Sequence, residues 1–102
     1  MCGHGGATSR VVALLKTLAE SRDVAAALRA LVLSGERLPG FGHWLYPDED
    51  PRARFLLDMM ARLLPDSEAV RLVQRIAKAA EAATGKKPNV DFALGAVERV
   101  LG

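Results

Sequence analysis

Apolar residues recur along this chain with the period of a helix. Val11, Leu14, Leu15 and Leu18 fall at i, i+3, i+4 and i+7, one stripe of a helix set at about Ala7 to Ala19. Val24, Leu28, Leu31 and Val32 share a face of a second helix, from about Arg22 to Ser34, with Ser21 as its cap and Gly35 past its end. The periodicity then stops. Between Gly35 and Asp50, the residues Gly35, Pro39, Gly40, Gly42 and Pro47 predict an irregular loop, which also carries Phe41, Trp44 and Tyr46. Asp50 caps and Pro51 opens a third helix, striped by Leu56, Met59, Met60 and Leu63 and stopped by Pro65. Asp66 or Ser67 starts a fourth, on Ala69, Val73, Ile76 and Ala80, ending near Thr84. Gly85-Lys86-Lys87-Pro88 breaks it, and Asn89 caps a last helix from Val90 to about Leu101. No segment alternates convincingly as a strand does. The expected fold is all-α, a compact bundle of about five helices.

Composition narrows this picture without changing it. The chain has 102 residues, half of them hydrophobic, which suits a single domain over 1–102 with a modest core. Its net charge of +2 comes from interspersed acids and bases, so no nucleic-acid face is expected. Cys2 is the one cysteine, which excludes an internal disulfide and a cysteine metal cluster; no metal site and no tightly bound cofactor are expected. No apolar run is long enough to span a membrane, and the N-terminus lacks the pattern of a signal peptide, so a cytoplasmic location is expected. Opening on Met-Cys-Gly-His-Gly-Gly, the sequence reads like the edge of a longer chain.

Candidate chemistry lies where the periodicity breaks. The two histidines, His4 and His43, both sit beside glycines, which let backbone approach a ligand closely. Each, taken alone, is equally an exposed loop histidine. Arg52 follows His43 by nine residues and falls in the first turn of the third helix, where it can clamp a carboxylate or simply stand in solvent. Asp91 falls in the first turn of the last helix, where the dipole favours a carboxylate; its plainer role is to support that helix start. His4 stands at the mouth of the first helix. The dipole disfavours an imidazolium there, and a neutral ring can donate a hydrogen bond to an enolate. The alternative is a terminal residue without fixed order.

These segments together resemble citrate synthases. The stretch from Leu38 to Ala53, Leu-Pro-Gly-Phe-Gly-His-Trp-Leu-Tyr-Pro-Asp-Glu-Asp-Pro-Arg-Ala, is similar to the family's Pro-Gly-Phe/Tyr-Gly-His and Asp-Pro-Arg segment, with the same spacing from histidine to arginine. Pro88-Asn-Val-Asp-Phe92 with Gly95, and His4-Gly-Gly-Ala7, match two further motifs in the family's order. The resemblance covers the family's small, mobile domain.

It implies that the chain is that domain, excised from a two-domain parent that condenses acetyl-CoA with oxaloacetate to citrate and CoA, a reaction of the tricarboxylic acid cycle. By resemblance, Asp91 deprotonates the acetyl methyl, His4 stabilises the enol, His43 polarises the ketone and Arg52 binds a carboxylate. Leu38, Pro39 and Gly40 would lie against the adenine of CoA, with Lys86 and Lys87 near its phosphates. Acetyl-CoA and CoA enter only as substrate and product. The implied partners are the parent's large domain and a second parent subunit, in a homodimer. The chain alone is expected to be inactive or nearly so.

Some positions depart from the family pattern. Trp44 replaces a smaller or basic residue, and Pro47 a basic residue thought to meet the phosphates of CoA. Leu94 stands for a frequent serine and Thr8 for a frequent asparagine. These departures keep a methylcitrate synthase or citryl-CoA lyase relative in view. A reading from another class is a helical module that kept the fold for CoA binding or protein interaction.

Overall fold

The computed structural model describes the backbone of residues 4–102 and the side chains of residues 6–102. Cys2 and the side chain of His4 lie outside the described residues. Five helices form among those described: α1 (His4–Ala19), α2 (Val24–Leu33), α3 (Pro51–Leu63), α4 (Glu68–Thr84) and α5 (Val90–Leu101). They contain no strand, only one antiparallel bridge between Phe41 and Pro88. None of the helices is long and apolar enough to cross a membrane.

The helix ends follow from local chemistry. Asp50, Ser67 and Asn89 cap α3, α4 and α5, each accepting from backbone N–H groups of the first turn. Gly85 ends α4 in the left-handed region at φ 74°. One expected cap is corrected. Ser21 does not start α2, because its hydroxyl donates back to the Leu18 carbonyl at 2.8 Å and closes off α1. Asp23 is the cap instead, with Oδ1 accepting the Ala26 N–H at 3.1 Å. The stripe of α3 is also rotated from the expected one. Ala53 and Met60 are buried and Leu57 packs against the core, whereas Leu63 is 70% exposed.

Helix α5 packs on α1, α3 and α4, while α2 lies mainly on α4. Val11, Leu15, Leu18, Leu28, Val73, Ile76 and Phe92 are fully buried between them. Gly95 sets the spacing of α1 and α5: a Cβ there would lie 2.4 Å from Val11 Cγ1 and 2.9 Å from Val11 Cβ. Helix propensity alone makes alanine better than glycine by about 1 kcal/mol. The clash opposes this, and it wins because Val11 is buried and stiff at χ1. Gly95→Ala is therefore expected to destabilise the chain by about 1–3 kcal/mol in denaturant unfolding. A stabilised variant would contradict the close helix contact.

Candidate functional site

The loop before α3 is clasped to the start of α5. The Gly42 N–H donates to the Lys87 carbonyl at 2.9 Å, and the Asn89 N–H donates to the Gly40 carbonyl at 2.8 Å. Gly40 turns at φ 90°, and a Cβ there would come within 2.9 Å of Phe92 Cβ and Val11 Cγ2, so a side chain fits neither the backbone nor the space. Asn89 serves both sides of the clasp. Its Oδ1 accepts the Asp91 and Phe92 N–H groups at 2.9 and 3.2 Å, and its Nδ2 donates to the Gly42 carbonyl at 2.8 Å. Phe41 packs on Phe92 below, with ring centroids 4.9 Å apart. His43 thereby leaves the clasp next to the helix start that carries Asp91.

A second tie comes from Asp50, which is 1% exposed. Its Oδ1 accepts from the Arg52 N–H and Nε, both at 3.0 Å; its Oδ2 accepts from Arg52 Nη2 and from the Val90 N–H, both at 2.9 Å. One carboxylate thus joins the starts of α3 and α5. The Arg52 side chain holds the Asp50 carboxyl down at about 2, helped by the two backbone donors and opposed by burial. Asp50 in turn raises Arg52 further above its ordinary value, and the charge of Asp91 adds to this. In the sequence, Asp50 is legible only as a cap. The signal for its larger role was Asp-Pro-Arg itself, which sets a carboxylate two residues before an arginine.

Beside the clasp, with Gly40 and Gly42 in its lining, lies an open hollow of about 900 Å³. Its lining includes His43, Asp91, Leu38, Pro39, Gly40 and Lys86, six of the nine residues singled out from the sequence. Two of the other three are placed otherwise. Lys87 reaches Glu49 at 3.9 Å and does not line the hollow. Arg52 turns the Nε–Nη2 edge of its guanidinium to Asp50, with Tyr46 under it at 5.0 Å, and it does not line the hollow either. The His4 side chain lies outside the described residues. Two further cations, Arg10 and Arg37, also line the hollow. No motif marks them; Arg37 is legible only as the neighbour of Leu38.

The hollow therefore combines two carboxylates, Asp91 and Glu36, with the His43 imidazole, three cationic side chains, Arg10, Arg37 and Lys86, and apolar loop residues. That set suits an anionic ligand with an apolar body and a carbonyl group to polarise. Among the described residues no group of three His, Cys, Asp or Glu side chains is placed to hold a metal ion. A second groove of about 690 Å³ carries Arg22, Arg75 and Lys78 and shares no residue with the first.

Known proteins resemble this chain in sequence and in fold. The family model described as "Citrate synthase, C-terminal domain" matches residues 3–102. Citrate synthase of Synechocystis sp. is 33% identical over 96% of this chain and 26% of its own length. Citrate synthase 2 of Bacillus subtilis is 32% identical over 97% of this chain and 27% of its own. The chain thus spans about a quarter of the length of these curated relatives. Among solved structures, citryl-CoA lyase from Hydrogenobacter thermophilus superposes with a TM-score of 0.79 at 27% identity, over 95% of this chain and 39% of that one. Citrate synthase from Thermotoga maritima gives 0.71 at 27% identity, over 96% and 33%. With a family model matched almost end to end and an all-helical fold shared with two solved members, the chain belongs to the citrate synthase family.

Proposed function

We propose that this chain is the small, CoA-side half of a citrate synthase-type site, completed by the large domain of a two-domain parent. Asp91 takes a proton from the methyl group of acetyl-CoA while His4 donates a hydrogen bond to the forming enol oxygen. A base acting on so weak an acid needs that simultaneous stabilisation. The enol carbon attacks the ketone carbon of oxaloacetate, and the new alkoxide takes its hydrogen bond from His43. Water then hydrolyses the thioester of citryl-CoA to citrate and CoA. Arg52 meets a substrate carboxylate through Nη1, since Asp50 occupies its Nε–Nη2 edge. Leu38, Pro39 and Gly40 receive the adenine, and Lys86 meets the phosphates, joined by Arg10 and Arg37, while Lys87 can join them only by leaving Glu49. The parent works as a cytoplasmic homodimer, and the chain alone turns over little or nothing.

The observation that carries this reading is the clasp. It brings His43, Asp91 and the Leu38–Gly40 backbone, which come from two distant segments, to one hollow. A second reading, cleavage of citryl-CoA to acetyl-CoA and oxaloacetate, uses the same groups in reverse. It gains from the higher superposition with the lyase, 0.79 against 0.71.

The test is a chimera in which this chain replaces the matching quarter of Bacillus subtilis citrate synthase 2. The chimera should release CoA from acetyl-CoA and oxaloacetate. A folded chimera that binds both substrates and turns over neither them nor citryl-CoA would contradict both readings.

A further inference from the structure

The turn from His43 to Tyr46 holds its own histidine ring on three sides. The His43 carbonyl accepts the Tyr46 N–H at 3.1 Å and closes the turn. Within it, the Leu45 N–H donates to His43 Nδ1 at 3.1 Å. The indole of Trp44 lies nearly parallel to the imidazole, 17° between planes with centroids 6.1 Å apart. The Tyr46 ring stands on the same imidazole at 5.5 Å and 44°. Tyr46 in turn lies against the Arg52 guanidinium, which Asp50 fixes. A continuous stack therefore runs from a buried carboxylate to Trp44, which is 84% exposed on the lining of the hollow.

A neutral imidazole carries one proton, on one of its two nitrogens. A nitrogen that accepts a hydrogen bond keeps its lone pair there, so the proton sits on the other. We propose that the backbone N–H of Leu45 fixes His43 as the Nε2–H tautomer, and that Trp44 and Tyr46 are positioning residues holding the ring in that contact. The turn thereby makes His43 a hydrogen-bond donor, and its partner in the hollow must be an acceptor oxygen such as a carbonyl. A hydrogen bond of ordinary net worth biases the two tautomers about tenfold. The tautomer stands on the turn alone; the donor role towards a ketone rests on the function proposed above.

The contact can be observed directly in the 102-residue chain. Nuclear magnetic resonance in mildly alkaline buffer should show a scalar coupling between the Leu45 amide nitrogen and His43 Nδ1, transmitted across the hydrogen bond. It should also show His43 proton-bearing at Nε2, with Nδ1–H populated about tenfold less. His43→Gln removes these signals and separates them from those of His4. Trp44→Ala should weaken the coupling and Trp44→Phe should restore it. An absent coupling, or comparable amounts of the two tautomers, overturns the proposal. An unchanged coupling in Trp44→Ala overturns the positioning role of Trp44. If the coupling is present and the chimera is silent, the enzyme reading falls and the tautomer stands. If the coupling is absent and the chimera is active, the reverse holds.

Discussion

Replacing Asp50 with alanine is expected to destabilise the chain by about 3 kcal/mol. Three losses add to that figure. The N-cap of α3 is worth about 1 kcal/mol. The Val90 N–H, which Asp50 receives at the start of α5, loses its acceptor, at a cost of about 1–3 kcal/mol. The charge-assisted pair with Arg52 is also lost, but Arg52 has 46% of its side chain in solvent and can be hydrated instead, so that share is small. Acid should have a related effect in the native chain. Asp50 titrates near 2 in the folded state, below the ordinary value of 3.8. A depressed carboxyl stabilises the fold fully above 3.8 and loses that contribution as pH falls towards 2. The shift is worth about 2 kcal/mol. Urea midpoints from pH 5 to pH 2 check this against Asp50→Asn, whose acid dependence should be shallower. Equal slopes would mean that Asp50 does not hold the two helix starts together.

Asp91→Asn should lower kcat by about 10²–10⁴-fold in the chimera, with little change in KM for oxaloacetate. Asparagine keeps the size of the side chain and removes its basicity. The α5 cap is unaffected, because Asn89 receives the Asp91 backbone N–H and not its side chain. Fold and rate are therefore separable: the variant should unfold within about 0.5 kcal/mol of the parent chimera, as for a substitution away from the core. Steady-state CoA release and a melting curve measure the two. An active Asp91→Asn chimera would remove Asp91 as the base.

The helices were legible because their stripes are regular and their caps are unambiguous side chains. Asp50-Pro51, Ser67 and Asn89 start helices where the pattern places them. Ser21 misled because two cap-forming residues, Ser21 and Asp23, stand in one short connection, and backbone geometry chooses between them. The α3 stripe misled because Ala53 contributes little hydrophobicity to a pattern yet is buried. At the site, His43 and Asp91 were legible through glycine and cap motifs. That one hollow should hold both depended on the bonds between Gly40–Gly42 and Lys87–Asn89, which no periodicity encodes. Arg10 and Arg37 were hidden among many surface arginines, and Lys87 and Arg52 were drawn to Glu49 and Asp50.

Titrating the chain with CoA while following its backbone amides tests most directly that this hollow receives a CoA thioester. Shifts should concentrate at Leu38 to Trp44, Lys86 and Asp91, and leave the groove of Arg22, Arg75 and Lys78 unchanged. Shifts confined to that second groove, or none at millimolar CoA, would contradict it.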